Sequence, residues 1–163
     1  MFHNILVCVD GSEHAERALG EDIDLATTQR SRLTLLTAVS RPPYWANTPL
    51  TAAGIEPLAV DLQKEAEKTL RAAVDQVPDS VPVTKLLTED PIREALICQI
   101  KTGKYDLVVM GSRGRGALSA SLLGSVSHYA LNHSDVPVLI VRAEENGEDA
   151  DDAATAEAVT TAA

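Results

Sequence analysis

Aromatic side chains make up only 3% of the 163 residues, and there are just two cysteines. Cys8 and Cys98 are too few for a disulfide framework, and both sit inside apolar stretches where a free thiol behaves as a small hydrophobe. A reduced, cytoplasmic setting is therefore expected. Positive charge is also scarce: 14 Lys and Arg face 24 Asp and Glu, a formal net charge of −10, and no basic run compensates for it. Broad nucleic-acid binding is not expected of such a surface. The N-terminal apolar run is too short for a signal sequence, and no stretch approaches the roughly 20 apolar residues of a membrane span. A soluble chain that is not exported is expected.

The acid is unevenly placed. Residues 143–163 carry seven acidic residues and no Lys or Arg, which leaves 17 acids against 14 bases, a net of −3, for residues 1–142. The C-terminal stretch has nothing large and apolar beyond Val159. It cannot bury enough surface to fold alone and is expected to be a disordered, solvating tail after one globular domain at 1–142.

Five short runs rich in β-branched residues, at 5–9, 33–39, 81–87, 107–110 and 136–141, read as strands. Most are apolar at nearly every position instead of alternating, as strands buried on both faces are. The third, with Thr84 and Lys85, has the polarity of an edge. Segments of helical length lie between them at 13–28, 56–77, 91–102 and 125–133. Apolar residues recur at spacings of 3 and 4: Ala15, Ala18, Leu19, Asp22 or Ile23, Leu25 and Ala26 on the first helix, and Leu58, Leu62, Glu65 or Ala66, Leu70, Ala73 and Val77 on the second. Asp90 followed by Pro91 predicts a capped start to the third. The alternation βαβαβαβαβ implies an α/β fold with a parallel sheet and right-handed crossovers. The connection at 40–55, with Pro42, Pro43, Pro49 and Gly54, is long for a βα loop and has the length of a lid. Tyr44 and Trp45 within it suggest that part of it packs down.

The segment after the fourth strand is the most informative: Met110, Gly111, Ser112, Arg113, Gly114, Arg115, Gly116, and then Gly124, Ser125, Val126, Ser127. Gly111 and Gly114 let a main chain approach a ligand closely, and Gly124 and Ser125 open a helix whose free N–H groups and partial positive charge favour an anion. Ser125 and Ser127 add hydroxyl donors, and Arg113 and Arg115 add charge. The same glycines would equally serve tight turns, and Ser125 an ordinary N-cap. The spacing is neither the dinucleotide Gly-x-Gly-x-x-Gly nor a P-loop, since no Lys follows Gly124. Asp10 ends the first strand. With strand order 3-2-1-4-5 it would face the Gly111 loop across the crevice where strand order reverses. An Asx-turn or a helix cap is the competing role for Asp10. His128 and His133 do not share a helix face, and His3 and His14 have no partner by spacing, so no metal cage is expected.

Val-x-Val-Asp-Gly-Ser at residues 7–12, Val-Met-Gly-Ser-Arg-Gly at 109–114, Gly-Ser-Val-Ser at 124–127 and Pro-Val-Leu-Ile-Val at 137–141 together resemble the universal stress protein family across residues 2–142. Gly111, Gly114, Gly124 and Ser125 match the Gly-x2-Gly-x9-Gly-Ser/Thr pattern of its ATP-binding branch. The resemblance implies an open five-stranded parallel sheet of order 3-2-1-4-5 with helices on both faces, Rossmann-like and similar to the adenine nucleotide alpha hydrolases. It also implies a site in which Asp10 and Ala38 meet adenine and ribose, with Met110 and Gly111 near the ribose. Gly114, Gly124, Ser125, Val126 and Ser127 would hold the phosphates. Arg113 and Arg115 are open to two readings, as phosphate contacts or as solvated charges. The implied ligand is ATP, with Mg²⁺ or Mn²⁺ bridging phosphate oxygens. The implied assembly is a homodimer through strand 136–141, whose apolar edge has Pro137 as its only obvious protection. The function expected is a nucleotide-responsive regulator with slow or no ATP hydrolysis. A nucleotide-independent dimeric stress protein is the alternative, and a nucleotide-hydrolysing or adenylating enzyme is a third reading.

Overall fold

Apolar runs become strands here because both of their faces are covered. A computed structural model describes residues 1–39, 52–115 and 123–143, with side chains from residue 58 onward in the second helix. In chain order the elements are β1 (Asn4–Cys8), α1 (Glu13–Gln29), β2 (Arg32–Ala38), α2 (Ala52–Asp75), β3 (Val83–Thr88), α3 (Ile92–Thr102), β4 (Leu107–Gly111), α4 (Ser125–His133) and β5 (Val138–Val141). The strands form one sheet of order β3-β2-β1-β4-β5, every neighbouring pair parallel. This is the expected α/β architecture, with β3 and β5 at the edges.

Side chains alternate across each strand, so an unbroken apolar run feeds two cores. Ile5, Val7, Leu33, Leu35, Leu107 and Val109 bury one face with Ala18, Leu19 and Ala26 of α1 and Leu70 and Ala73 of α2. Leu6, Leu36, Val108 and Met110 bury the other with Leu96 and Ile100 of α3 and Ala130 of α4. Polar Thr84 and Lys85 are exposed on β3, in keeping with its edge position.

Several boundaries differ from those expected. Pro82 and Pro137 have no N–H to donate, so β3 and β5 start just after them. Their carbonyls still accept from Leu33 N and Val108 N at 2.9 Å. Pro91, not Asp90, is the N-cap of α3, and no side chain caps that end. Asp90 instead donates its N–H to Thr88 Oγ1 at 3.1 Å. The second helix begins at Ala52, so the last four residues of the connection expected at 40–55 are helical. Tyr44 and Trp45, on which the lid expectation rests, lie outside the described residues. On α2, Ala66, Leu70 and Ala73 face the core as the periodicity predicts, but Leu58 stays 44% exposed.

Candidate functional site

The carboxyl ends of β1 and β4 lie side by side, Cys8 paired with Met110, and the chain leaving each turns into the same space. At the end of β1, Val9 N–H still reaches Leu36 O at 3.0 Å. The Val9 carbonyl accepts from the buried Thr37 Oγ1 at 2.9 Å, which ties β2 to this turn. Removing the hydroxyl while keeping the shape, in Thr37→Val, leaves that carbonyl short of a partner. A loss of about 1 kcal/mol in urea unfolding is expected.

Asp10 then builds an Asx-turn. Its Oδ1 accepts from Ser12 N at 3.0 Å and from Ser12 Oγ at 2.6 Å. Gly11, between them, has φ +73°, a left-handed conformation that glycine adopts at little cost. Ser12 is the N-cap of α1, and its Oγ accepts from Ala15 N at 3.3 Å. Of the two structural roles open to Asp10, the turn is its own and the cap belongs to Ser12.

The loop after β4 closes over this turn. Ser112 N–H donates to Val141 O, and Gly124 N–H donates to Ser112 O, both at 2.7 Å. The first ties the end of β4 to the end of β5, and the second brings the start of α4 to the end of β4 across seven residues, 116–122, that lie outside the described set. Arg115 N–H donates to Asp10 Oδ2 at 3.2 Å. Asp10 and the glycine loop, a hundred residues apart in sequence, are therefore in direct contact.

The three motif glycines do different steric work. A Cβ at Gly111 would lie 2.7 Å from His14 C and 2.8 Å from Ala15 N, so bare backbone is needed for α1 to pack on β4. One at Gly114 would lie 2.5 Å from Asp10 Oδ2. One at Gly124 would come 3.3 Å from both Arg113 Cα and Ser112 O.

Gly124, and not Ser125, is the N-cap of α4, and having no side chain it leaves the first-turn amides without a side-chain acceptor. Ser125 is exposed at the first helical position, and Val126 is half-buried. Ser127 is buried, and its hydroxyl donates to Gly111 O at 2.8 Å. It thus locks α4 onto β4, leaving its backbone N–H as the group it can offer an anion. Met110 is buried in the core beneath α3 and α4, so only its main chain is at the edge. Ala38 closes β2, half-buried. Arg113 is half-buried, with its carbonyl oxygen 3.4 Å from Ser12 Oγ.

Burial, and after it the charge of Asp10, pushes the Cys8 thiol up to about 12. It stays protonated at neutral pH and is no nucleophile. Among the described residues, no three His, Cys, Asp or Glu side chains come together as a metal-binding group. His133 Nδ1 lies 2.9 Å from Tyr129 O, and His14 Nδ1 accepts from Ala143 N at 2.7 Å. Nothing in the sequence signals that last bond, which links residues 129 apart. Also unforeseen is the role of Arg115, whose Nη2 donates to Thr69 Oγ1 on α2 at 2.8 Å and whose Nη1 lies 3.6 Å from Glu65. Beneath that bridge is a cleft of about 190 Å³ between α1 and α2, floored by Val9, Ala15, Leu19 and Ala73.

An aspartate turn and a helix start without a side-chain cap converge at the reversal point of this parallel sheet, the place where ligands of open α/β sheets bind. The model of the universal stress protein family matches residues 1–142. The chain belongs to the universal stress protein family. Universal stress protein YxiE of Bacillus subtilis is 31% identical over 149 residues, covering 87% of this chain and all of the relative. Among solved structures, universal stress protein UspA of Lactobacillus plantarum superposes with a TM-score of 0.73 at 21% identity, covering 86% of this chain and 97% of that one. A universal stress protein in complex with cAMP is 26% identical with a TM-score of 0.52, over 86% and 97% of the two chains. A family member from Arabidopsis thaliana with AMP bound has a TM-score of 0.63 at 16% identity, over 91% and 98%. Some family members of this fold thus bind adenine nucleotides. No helix among the described residues of this universal stress protein is long and apolar enough to cross a membrane.

Proposed function

We propose that this universal stress protein binds ATP at the crevice between Asp10 and the start of α4, and acts as a nucleotide-responsive regulator that hydrolyses ATP slowly or not at all. The observation that carries the reading is the convergence of an α4 N-terminus without a side-chain cap and the Asp10 turn onto one loop. The residues present fit a nucleotide. The main chain of Gly114 and Gly124 and the N–H groups of Ser125, Val126 and Ser127 suit phosphate oxygens, which a helix N-terminus attracts. Asp10 is an acceptor for an adenine amino or ribose hydroxyl donor, with Ala38 and the main chain of Met110 and Gly111 beside it. Arg113 supplies charge. A divalent ion, Mg²⁺ or Mn²⁺, would neutralise phosphate oxygens while keeping mostly water ligands. Asp10, the carboxylate placed at the crevice, already holds Ser12 and Arg115 with its oxygens, so regulation fits better than rapid phosphoryl transfer.

The supporting neighbours with cAMP or AMP bound point to adenine as the recognised base. A cytoplasmic homodimer through β5 belongs to the same reading. That strand pairs with β4 on one side, and Leu139 on it is 41% exposed, an apolar edge suited to a second copy. Residues 1–142 would form the domain, and the acidic stretch from 143 onward a solvating tail. The same edge would also serve the alternative, a dimeric stress protein indifferent to nucleotide.

Denaturing the purified chain and identifying what it releases by chromatography and mass spectrometry separates the two. Near one ATP per chain is expected. Mg-ATP at a hundred times its Kd should stabilise the emptied protein by about 2.7 kcal/mol, and Asp10→Ala should lose most of that gain. An empty protein that gains nothing from Mg-ATP leaves the nucleotide-independent dimer as the better account.

A further inference from the structure

Both oxygens of Asp10 are engaged within the chain, and they are engaged differently. Oδ1 holds the two Ser12 donors of its own turn, which is local and would persist whatever the loop does. Among the described residues, Oδ2 is held by Arg115 N–H, from across the crevice. Gly114 lies so close above Oδ2 that a Cβ there would come within 2.5 Å, which leaves no room for a ligand atom between them. A donor that is to reach Oδ2 from the side of Gly114, or to replace the Arg115 N–H, has to lift residues 114 and 115.

Lifting them is opposed from a second side. The Arg115 guanidinium crosses the β1 turn, where a Cβ on Gly11 would lie 2.7 Å from Nη2, and ends on α2. There Nη2 donates to Thr69 Oγ1 at 2.8 Å, and Nη1 lies 3.6 Å from Glu65. One residue thus spans Asp10 through its backbone and α2 through its side chain. We propose that Arg115 is a latch that holds residues 114 and 115 down over Asp10, so that adenine nucleotide uptake requires its release from Thr69 and Glu65 on α2. The inference rests on the nucleotide reading above and adds a regulation to it: occupancy of the crevice is coupled to a contact on the outer helix layer. Arg115 is a positioning residue here, acting on Asp10 through the loop. Both Arg115 and Glu65 are about half exposed, so the latch is weak enough to open and sensitive to salt.

Thr69→Val in the full chain isolates the latch, because it deletes the hydroxyl acceptor on α2 and leaves every phosphate-facing group in place. Titration calorimetry of nucleotide-stripped protein with Mg-ATP should show Thr69→Val and Arg115→Ala each binding about three- to tenfold more tightly than the parent. Amide hydrogen exchange without nucleotide should show faster exchange at the Arg115 N–H in Thr69→Val. Weaker binding in Arg115→Ala with Thr69→Val unchanged would make the guanidinium a phosphate contact and overturn the latch, as would unchanged affinity in both. If neither parent nor variants bind any adenine nucleotide, it is the nucleotide reading that has failed. The exchange rate at Arg115 still decides in that case: no difference between parent and Thr69→Val means that α2 does not hold the loop.

Discussion

A chain carrying Asp22→Asn should unfold well above the parent at pH 8 and at nearly the same temperature at pH 4. Asp22 lies on α1 and is fully buried, and neither carboxylate oxygen has a hydrogen-bond partner among the described residues. Desolvation raises its pKa from 3.8 to about 7. In the unfolded chain the group ionises near its ordinary value, while in the folded chain it stays protonated until near neutrality. The acid is thus harmless below about pH 4 and progressively destabilising as pH rises to 7. Beyond that the loss is complete, at roughly 4 kcal/mol from the gap between the two values. Asparagine keeps the shape and the polarity of the protonated acid but cannot ionise. The difference in stability between variant and parent should therefore grow across pH 4 to 7 and then level off, reaching on the order of 10 °C in Tm. Thermal melts at half-unit pH steps measure it. A difference that stays flat with pH would show that Asp22 finds a partner for its charge.

The second large effect separates two glycines that a motif treats alike. Gly111→Ala should cost about 3 kcal/mol of folding stability, because the new Cβ meets the backbone of His14 and Ala15, which cannot move without shifting α1. Gly114→Ala should leave the fold nearly as stable, since this glycine is exposed and its Cβ would meet only the Asp10 carboxylate. It should instead turn Oδ2 of Asp10 away while the local Ser12 turn persists, and reduce Mg-ATP affinity by tenfold or more. Urea unfolding beside calorimetric titration of both variants tests the pair. Equal stability losses would mean that the glycine loop and the α1 packing are one structural unit.

The two glycines also mark where sequence reading ends. Both are visible as glycines in a pattern, and the pattern points to a main chain that must come close to something. What it comes close to is a helix backbone at Gly111 and a carboxylate at Gly114, and only the packing says so. Ser125 reads as a cap by residue type, yet Gly124 takes that position. Ser127 reads as a free hydroxyl, yet it is spent on the Gly111 carbonyl. Asp22 sits on the apolar stripe of α1, where its neighbour Ile23 fits the same spacing equally well. Periodicity of 3.6 residues cannot decide which of two adjacent residues turns inward.

The order of elements, the two-faced burial of the strands and the parallel sheet follow from the sequence itself. Apolar runs of strand length separated by amphipathic segments admit few other arrangements once crossovers are right-handed. Family membership is carried in the same local way, by short motifs at fixed spacing. Tertiary structure decided the rest. It joined Arg115 to Asp10, Thr69 and Glu65, and His14 to Ala143, and it left the Asp22 carboxylate without a partner. The contacts join groups from segments far apart in the chain. No local propensity or periodicity encodes such distances, which arise only when several elements are packed at once.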